Sequence, residues 1–356
     1  MDYNTYRRKT NPIMVGDVGV GGDFPISIQS MTNTDTYNYE SVTQQCRELE
    51  AAGCDIVRIT VPDADAAECI KYLKRSGIRM PIVADIHFDY RAAVASVECG
   101  ADKIRINPGN IGDKNRIREV VRACTERKIP IRIGVNSGSL EREILEKHGS
   151  PTAEALAESA LYHASILEEL DFHNIAISVK SSDVAAMVAA NRIIAEKTEY
   201  PIHLGVTEAG ARDAALIKSS IGIGSMLLSG IGDTVRVSLT EDPVREIGAA
   251  RNILRSLRLI AGMDIVSCPT CGRTNIDLIS LLSEFEARTR IEGLDKKNIK
   301  VAIMGCVVNG PGEAREADVG IAGGVGEGLL FRHGKIIKKV KEDKLIDELI
   351  DEIKRI

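Results

Sequence analysis

Two short stretches hold residues suited to binding a soft metal: "SCPTCGR", Ser267–Arg273, and "MGCVVNGPGE", Met304–Glu313. The first supplies Cys268 and Cys271 in a C-P-T-C spacing, and the second adds Cys306. Structural zinc usually takes a second Cys or His pair, which this region lacks, so the spacing favours an iron–sulfur cluster over zinc or unligated thiols. Pro269 suits the first turn of a helix whose amides would donate to sulfur. Beyond Cys306, N-G-P-G-E is a turn sequence that folds Glu313 back toward the same place. A carboxylate is a hard ligand for a soft cluster and yields more readily than a thiolate, so Glu313 in the fourth position would make an exchangeable, catalytic site. Cys46, Cys69 and Cys124 fall in helical stretches, and Cys54 and Cys99 in helix-to-strand turns. They read as small hydrophobes.

A second set of chemistry-bearing residues is cationic and alternates with apolar ones along strands. In "ISIQSMT" the helix-facing positions are Ile26 and Ile28, which leaves Ser27 and Gln29 for a barrel axis. The same parity sends Arg58 and Thr60, Asp85 and His87, Arg105 and Asn107, Arg132 and Asn136, and Ser178 and Lys180 inward. An ordinary barrel fills such positions with bulky apolar side chains. Burying Arg58, Arg105, Arg132 and Lys180 without counter-charge would cost on the order of several kcal/mol each. A phosphate ester, best of all a diphosphate, is the natural counterion for converging Arg forks and a Lys ammonium. The competing reading is an internal ion-pair network using Asp55, Asp85, Asp102 and Glu208. Lys180 fits equally a Schiff-base lysine or a phosphate ligand. Glu208 in "GVTEAG" is a proton donor or base, or the cap of the next helix. His87 is a substrate hydrogen-bond partner or a satisfied structural group. His148, His163, His173 and His333 read as surface or packing residues.

Eight strand-like runs position the cations: residues 26–32, 56–62, 81–88, 103–109, 131–136, 175–180, 201–207 and 234–240, with helical stretches between them. Weak repeats, G-C-D-I-V-R-I against G-A-D-K-I-R-I and "IPIRIGVN" against "YPIHLGVT", mark individual βα units. The expected fold class is α/β: a TIM (β/α)8 barrel over residues 1–262 followed by a smaller α+β iron–sulfur domain over 263–356. "PIMVGDVGVGG" reads as a hairpin turning at Gly16–Asp17 that could plug the barrel's lower end. In the last stretch, Leu345, Ile346, Leu349, Ile350 and Ile353 share one helix face and should pack on a small sheet.

The totals exclude other classes. The chain has 356 residues, with 46 Lys plus Arg against 51 Asp plus Glu, a formal charge of −5 that offers no general attraction to nucleic acid or an anionic membrane. Zero Trp and 4% aromatics argue against base-stacking surfaces. No apolar run approaches a bilayer span, so a cytoplasmic protein with reduced thiols is expected.

C-P-T-C-G-R and G-C-x-V-N-G-P-G-E, together with "QSMTNTDT", "RIGVNSGSLE", "SVKSSD" and "GVTEAG", resemble the 4-hydroxy-3-methylbut-2-enyl diphosphate synthases, iron–sulfur enzymes of the methylerythritol phosphate route to isoprenoids. The resemblance covers essentially the whole chain, in the two-domain bacterial form. It implies a 4Fe-4S cluster on Cys268, Cys271, Cys306 and Glu313. The implied substrate is 2-C-methyl-D-erythritol 2,4-cyclodiphosphate, with Arg58, Arg105, Arg132, Asn136 and Lys180 on the diphosphate. Asn107, His87 and Ser267 complete the expected substrate contacts, and Glu208 is the acid near the reacting carbon. Flavodoxin or ferredoxin would deliver the electrons. After the eighth strand, a helix from Pro243 to about Ile260 returns the chain toward the lower face. The cluster then most easily serves another subunit's barrel, which implies a head-to-tail homodimer. The alternatives are a barrel aldolase or lyase using Lys180 with a zinc-stapled second domain, and a simple electron carrier.

Overall fold

The computed structural model describes residues 6–306 and 316–356; Glu313 lies outside the described residues. The chain first makes a small antiparallel hairpin, β1 (Ile13–Val15) and β2 (Val18–Val20), turning at Gly16–Asp17. Gly16 has φ +55°, a left-handed conformation that glycine adopts without a Cβ penalty. Eight parallel strands follow: β3 (Ser27–Met31), β4 (Ile56–Thr60), β5 (Ile82–Asp85), β6 (Lys103–Ile106), β7 (Ile131–Asn136), β8 (Ile175–Lys180), β9 (His203–Leu204) and β10 (Thr234–Val235). Their order is β8-β7-β6-β5-β4-β3-β10-β9, and a bridge between Ile177 and Ile202 joins the two ends into a barrel.

Alternation explains why these runs become barrel strands. Ile28, Ile59, Ile104, Ile106, Ile133, Ile177 and Val179 are all buried, on the parity opposite to the polar residues, where the surrounding helices cover them. Helices begin where the strand-end loops place a cap: Asn38, Asp89, Asp113, Asp183 and Asp242 each accept a hydrogen bond from a first-turn amide. Several strands are shorter than expected, notably β5, β9 and β10. Past the two-residue β9 and β10 the backbone still bonds across, Arg236 N to Leu204 O at 2.9 Å and Thr207 N to Ser181 O at 3.3 Å, without extending the regular ladder. Below, Ile13, Val15 and Val20 of the hairpin form one apolar cluster with Ile56, Val83 and Ala176, so the hairpin seals the barrel floor.

The chain divides into two compact units, Met1–Leu257 and Arg258–Ile356, against an expected boundary after residue 262. The second unit is a five-stranded sheet, β11 (Asp264–Ser267), β12 (Lys300–Met304), β13 (Val319–Gly323), β14 (Glu327–Arg332) and β15 (Lys335–Lys341), in sequential order. β11, β12 and β13 are parallel, and β14 and β15 are antiparallel. The terminal helix Leu345–Arg355 buries Leu345, Ile346, Leu349, Ile350 and Ile353 in the unit's main core. The helix expected at Pro269 does not form. Residues 268–277 run through turns, with Thr274 N bonded to Cys271 O at 2.9 Å, and a helix starts only after Asp277, whose side chain caps it. No helix among the described residues is long and apolar enough to cross a membrane.

Candidate active site

Strand register stacks the inward residues of the barrel in tiers drawn from alternate strands. From the floor upward they are Ile56, Lys103, Ala176 and Thr234; then Gln29, Val83, Arg132 and His203; then Arg58, Arg105, Ser178 and Arg236. Above these come Met31, Asp85, Gly134 and Gly205, and then Thr60, Asn107 and Lys180. All four expected cations are buried: Arg58, Arg105, Arg132 and Lys180. Parity also turns Lys103 and Arg236 inward, and neither was among the expected site residues.

Counter-charge is scarce. Asp85 is held by Arg105 at 3.0 Å and Arg58 at 3.6 Å. Burial alone would raise its pKa, but the two guanidinium groups hold it down at about 2. Glu246, from the helix Pro243–Ser256, holds Arg236 at 3.1 Å and accepts from Ser30 Oγ at 2.9 Å. Among the described residues, six interior cations therefore face two carboxylates. The expected network through Asp55 and Asp102 is not built. Asp55 accepts from the Ile28 amide, and Asp102 takes Lys74 and the Ile82 amide. Burial first, and then the neighbouring cations, push Lys180 well below the ordinary lysine range and lower Arg58 to about 10. All three side-chain nitrogens of Arg132 lack a hydrogen-bond partner. Such an interior is poised for a multiply charged anion.

Glycines make room for the cations. A Cβ on Gly134 would lie 2.3 Å from Arg105 Nε, and one on Gly205 would lie 2.6 Å from the Arg236 carbonyl and 3.2 Å from Lys180 Nζ. At the upper rim Asn107 is buried, its side chain accepting from Gly109 N at 3.1 Å while its Nδ2 has no partner, and Asn136 is half-buried. His87 is exposed beside Phe88. Glu208 is exposed, with φ +50°. The next helix is capped by Ala211 without a side-chain bond, so Glu208 is not its cap. A left-handed glutamate costs roughly 1–2 kcal/mol, and such strain concentrates at functional sites.

In the second unit, Cys268 immediately follows β11 and Cys306 lies two residues past β12 on the neighbouring strand. Gly305 N donates to Cys268 Sγ at 3.2 Å, which ties the two strand ends together. Cys271 is exposed, and hydrogen bonds from Arg273 backbone and side chain, aided by its charge, lower the pKa of the thiol. Ser267 is half-buried at the end of β11. No three potential ligands among the described residues converge on a single metal ion. The other cysteines differ in kind: Cys46, Cys54, Cys69 and Cys124 are buried and Cys99 half-buried, and burial pushes the first four up to about 12.

The family model described as GcpE TIM-barrel domain matches residues 10–251, and that of the GcpE protein C-terminal domain matches 264–355. A 4-hydroxy-3-methylbut-2-en-1-yl diphosphate synthase (flavodoxin) of Clostridium perfringens is 60% identical over 351 residues, covering 98% of this chain and 99% of that protein. The Geobacter sulfurreducens protein of the same name is 55% identical over 351 residues, covering 98% of each. Among solved structures, N-acetylneuraminic acid synthetase of Leptospira borgpetersenii shares the fold, with a TM-score of 0.50 at 13% identity over 80% of this chain and 98% of that one. The chain belongs to the 4-hydroxy-3-methylbut-2-en-1-yl diphosphate synthase family.

Proposed function

We propose that the chain catalyses the two-electron reductive ring opening and dehydration of 2-C-methyl-D-erythritol 2,4-cyclodiphosphate to 4-hydroxy-3-methylbut-2-enyl diphosphate. The observation that carries this reading is the barrel's charge excess, six cations against Asp85 and Glu246, which a cyclic diphosphate would offset. Arg58, Arg105, Arg132, Lys180 and Arg236 hold the diphosphate, and Asn107 and Asn136 orient it from the rim. His87 and Ser267 are further substrate contacts. The cations favour departure of the diphosphate oxygen by stabilising its growing charge. Glu208, uncommitted to the following helix, delivers the proton that accompanies loss of the hydroxyl as water.

The donor set fits an iron–sulfur cluster. Thiols on two adjacent strand ends and an exposed thiol with lowered pKa are soft ligands. Structural zinc usually takes a second Cys or His pair, which the sequence around these motifs lacks. Cys268, Cys271 and Cys306 would hold a 4Fe-4S cluster, with Glu313 as the exchangeable fourth ligand. The cluster, when bound, supplies electrons one at a time from flavodoxin or ferredoxin. Because the helix after β10 runs back down the barrel, each cluster serves the barrel of another subunit in a head-to-tail homodimer.

The test is anaerobic reconstitution with iron and sulfide, followed by addition of the cyclodiphosphate and a one-electron reductant. A brown protein that forms the product supports the reading. A colourless zinc protein, or a loaded one that leaves the substrate intact, overturns it. Replacing Glu313 by Ala should nearly abolish turnover while leaving substrate binding largely intact.

A further inference from the structure

Beneath the tier of Arg58 and Arg105 lies a layer of polar groups of which the proposed reaction uses only Arg132. Ser27 Oγ, Gln29 Oε1 and Nε2, Lys103 Nζ, the three Arg132 nitrogens, both His203 ring nitrogens and Thr234 Oγ1 are all buried without a hydrogen-bond partner. Lys103 and His203 are wholly enclosed, and Arg132 is 1% exposed. Each of the other strands offers only Ile56, Val83 or Ala176 at this depth, and these three belong to the apolar floor closed by the hairpin. No strand contributes a carboxylate. The nearest acid above, Asp85, is already taken by Arg58 and Arg105.

We propose that this layer is a binding site for a small monovalent inorganic anion of the halide class, held between Lys103 and Arg132 with the Ser27 and Thr234 hydroxyls and the Gln29 amide around it. Water alone would satisfy the donors but leave Lys103 without counter-charge, and Arg132 as well in the substrate-free chain, which a low-dielectric interior strongly disfavours. A carboxylate metabolite or second phosphate is too large for a sealed layer, whereas Ala176, Ser27 and Thr234 stand where a packed barrel carries bulky side chains. The anion lowers the self-repulsion of the interior, so the cations above remain charged and aligned for the diphosphate. Without it, burial and Arg132 drive Lys103 toward the neutral amine.

Crystals of the full chain grown in bromide test this by anomalous scattering at the bromine edge. The expected result is an anomalous peak bounded by Lys103 Nζ and the Arg132 guanidinium, surviving back-soaking to millimolar bromide. Non-anomalous water density there, or a peak lost with the surface sites on back-soaking (an adventitious ion only), overturns the proposal. In solution, replacing gluconate by chloride at constant ionic strength should raise Tm by about 2–4 °C in the native chain and by less than 1 °C in Lys103→Met. Lys103→Gln, which keeps a polar group, covers the case in which Lys103→Met does not fold. Equal shifts in native and variant chains also overturn the site. Bromide binding in a chain that does not turn over the cyclodiphosphate would retain this site and reject the proposed reaction, so the two failures are separable.

Discussion

In the barrel the reactive groups ride on strands: Arg58 and Arg105 are fixed by ladders on both sides and Lys180 by the ladder to β7, and Gly134 and Gly205 leave the space their side chains occupy. In the C-terminal unit the thiols lie just beyond strand ends, where Cys268 and Cys306 are joined by one amide-to-sulfur bond and Cys271 stands exposed in a turn. The barrel is complete as a charged receptacle without its ligand. Among the described residues no three potential ligands converge, so a bound group would still have to organise the thiol site, as metal sites commonly require. Changes in the two regions should therefore fail differently.

The largest effect belongs to the thiol site. Cys306→Ser should eliminate brown colour, bound iron and essentially all turnover, while the far-ultraviolet circular dichroism stays native because the unit's core of Phe285, Val301, Ile321 and Leu349 is untouched. Retained iron with normal turnover would remove Cys306 from the ligand set. Next comes the barrel: Arg105→Met deletes one fork of the receptacle, and KM should rise roughly 30- to 1000-fold, the range for losing one member of a buried charge pair. The iron content should not change. An unaltered KM would break the assignment of this tier to the diphosphate.

Asp85→Asn probes the same receptacle from the opposite sign. With its folded pKa at about 2 against an ordinary value near 4, the carboxylate contributes stability above pH 4 and loses it as pH falls toward 2. The variant should lose about 2 kcal/mol at neutral pH by chemical denaturation of the ligand-free chain, and its stability should fall less steeply between pH 4 and 2 than that of the native chain. Parallel pH dependences would show that Asp85 is not the group that offsets Arg58 and Arg105.

The same contrast governs what could be read from sequence. Strand parity is a hard rule, so the inward placement of Arg58, Arg105, Arg132 and Lys180 was legible, and the run K-I-R-I-N already carried the signal for Lys103. Arg236 was equally available in "TVRVSLT". Glu246 was not, because it reaches the interior from a helix start, where no period distinguishes it from a solvent-facing acid. Asp55 and Asp102 looked like counter-ions by composition but sit at strand starts, where backbone amides claim them. In the C-terminal unit the motif spacing singles out Cys268, Cys271 and Cys306 as candidate ligands, whereas Pro269 opens no helix. A proline that suits a helix's first turn suits a turn equally, and Asp277 supplies the better cap eight residues later.

The smallest expected effect separates the two kinds of cysteine. The buried thiols of Cys46, Cys54, Cys69 and Cys124 are pushed up to about 12, so almost none is thiolate at pH 7.5, and alkylation there needs unfolding as well. Cys271 is exposed and its thiolate is favoured by Arg273. In the metal-free chain, iodoacetamide should therefore modify Cys271 first, with these four unreacted until denaturant is added, as read by peptide mass spectrometry. Cys124→Ala should leave iron content and turnover unchanged, with a stability cost of about 1 kcal/mol for the small cavity. Early labelling of Cys124, or iron lost from the Cys124→Ala variant, would mean that helix-borne thiols join the metal chemistry, and the division between a preformed barrel and a ligand-organised thiol site would no longer hold.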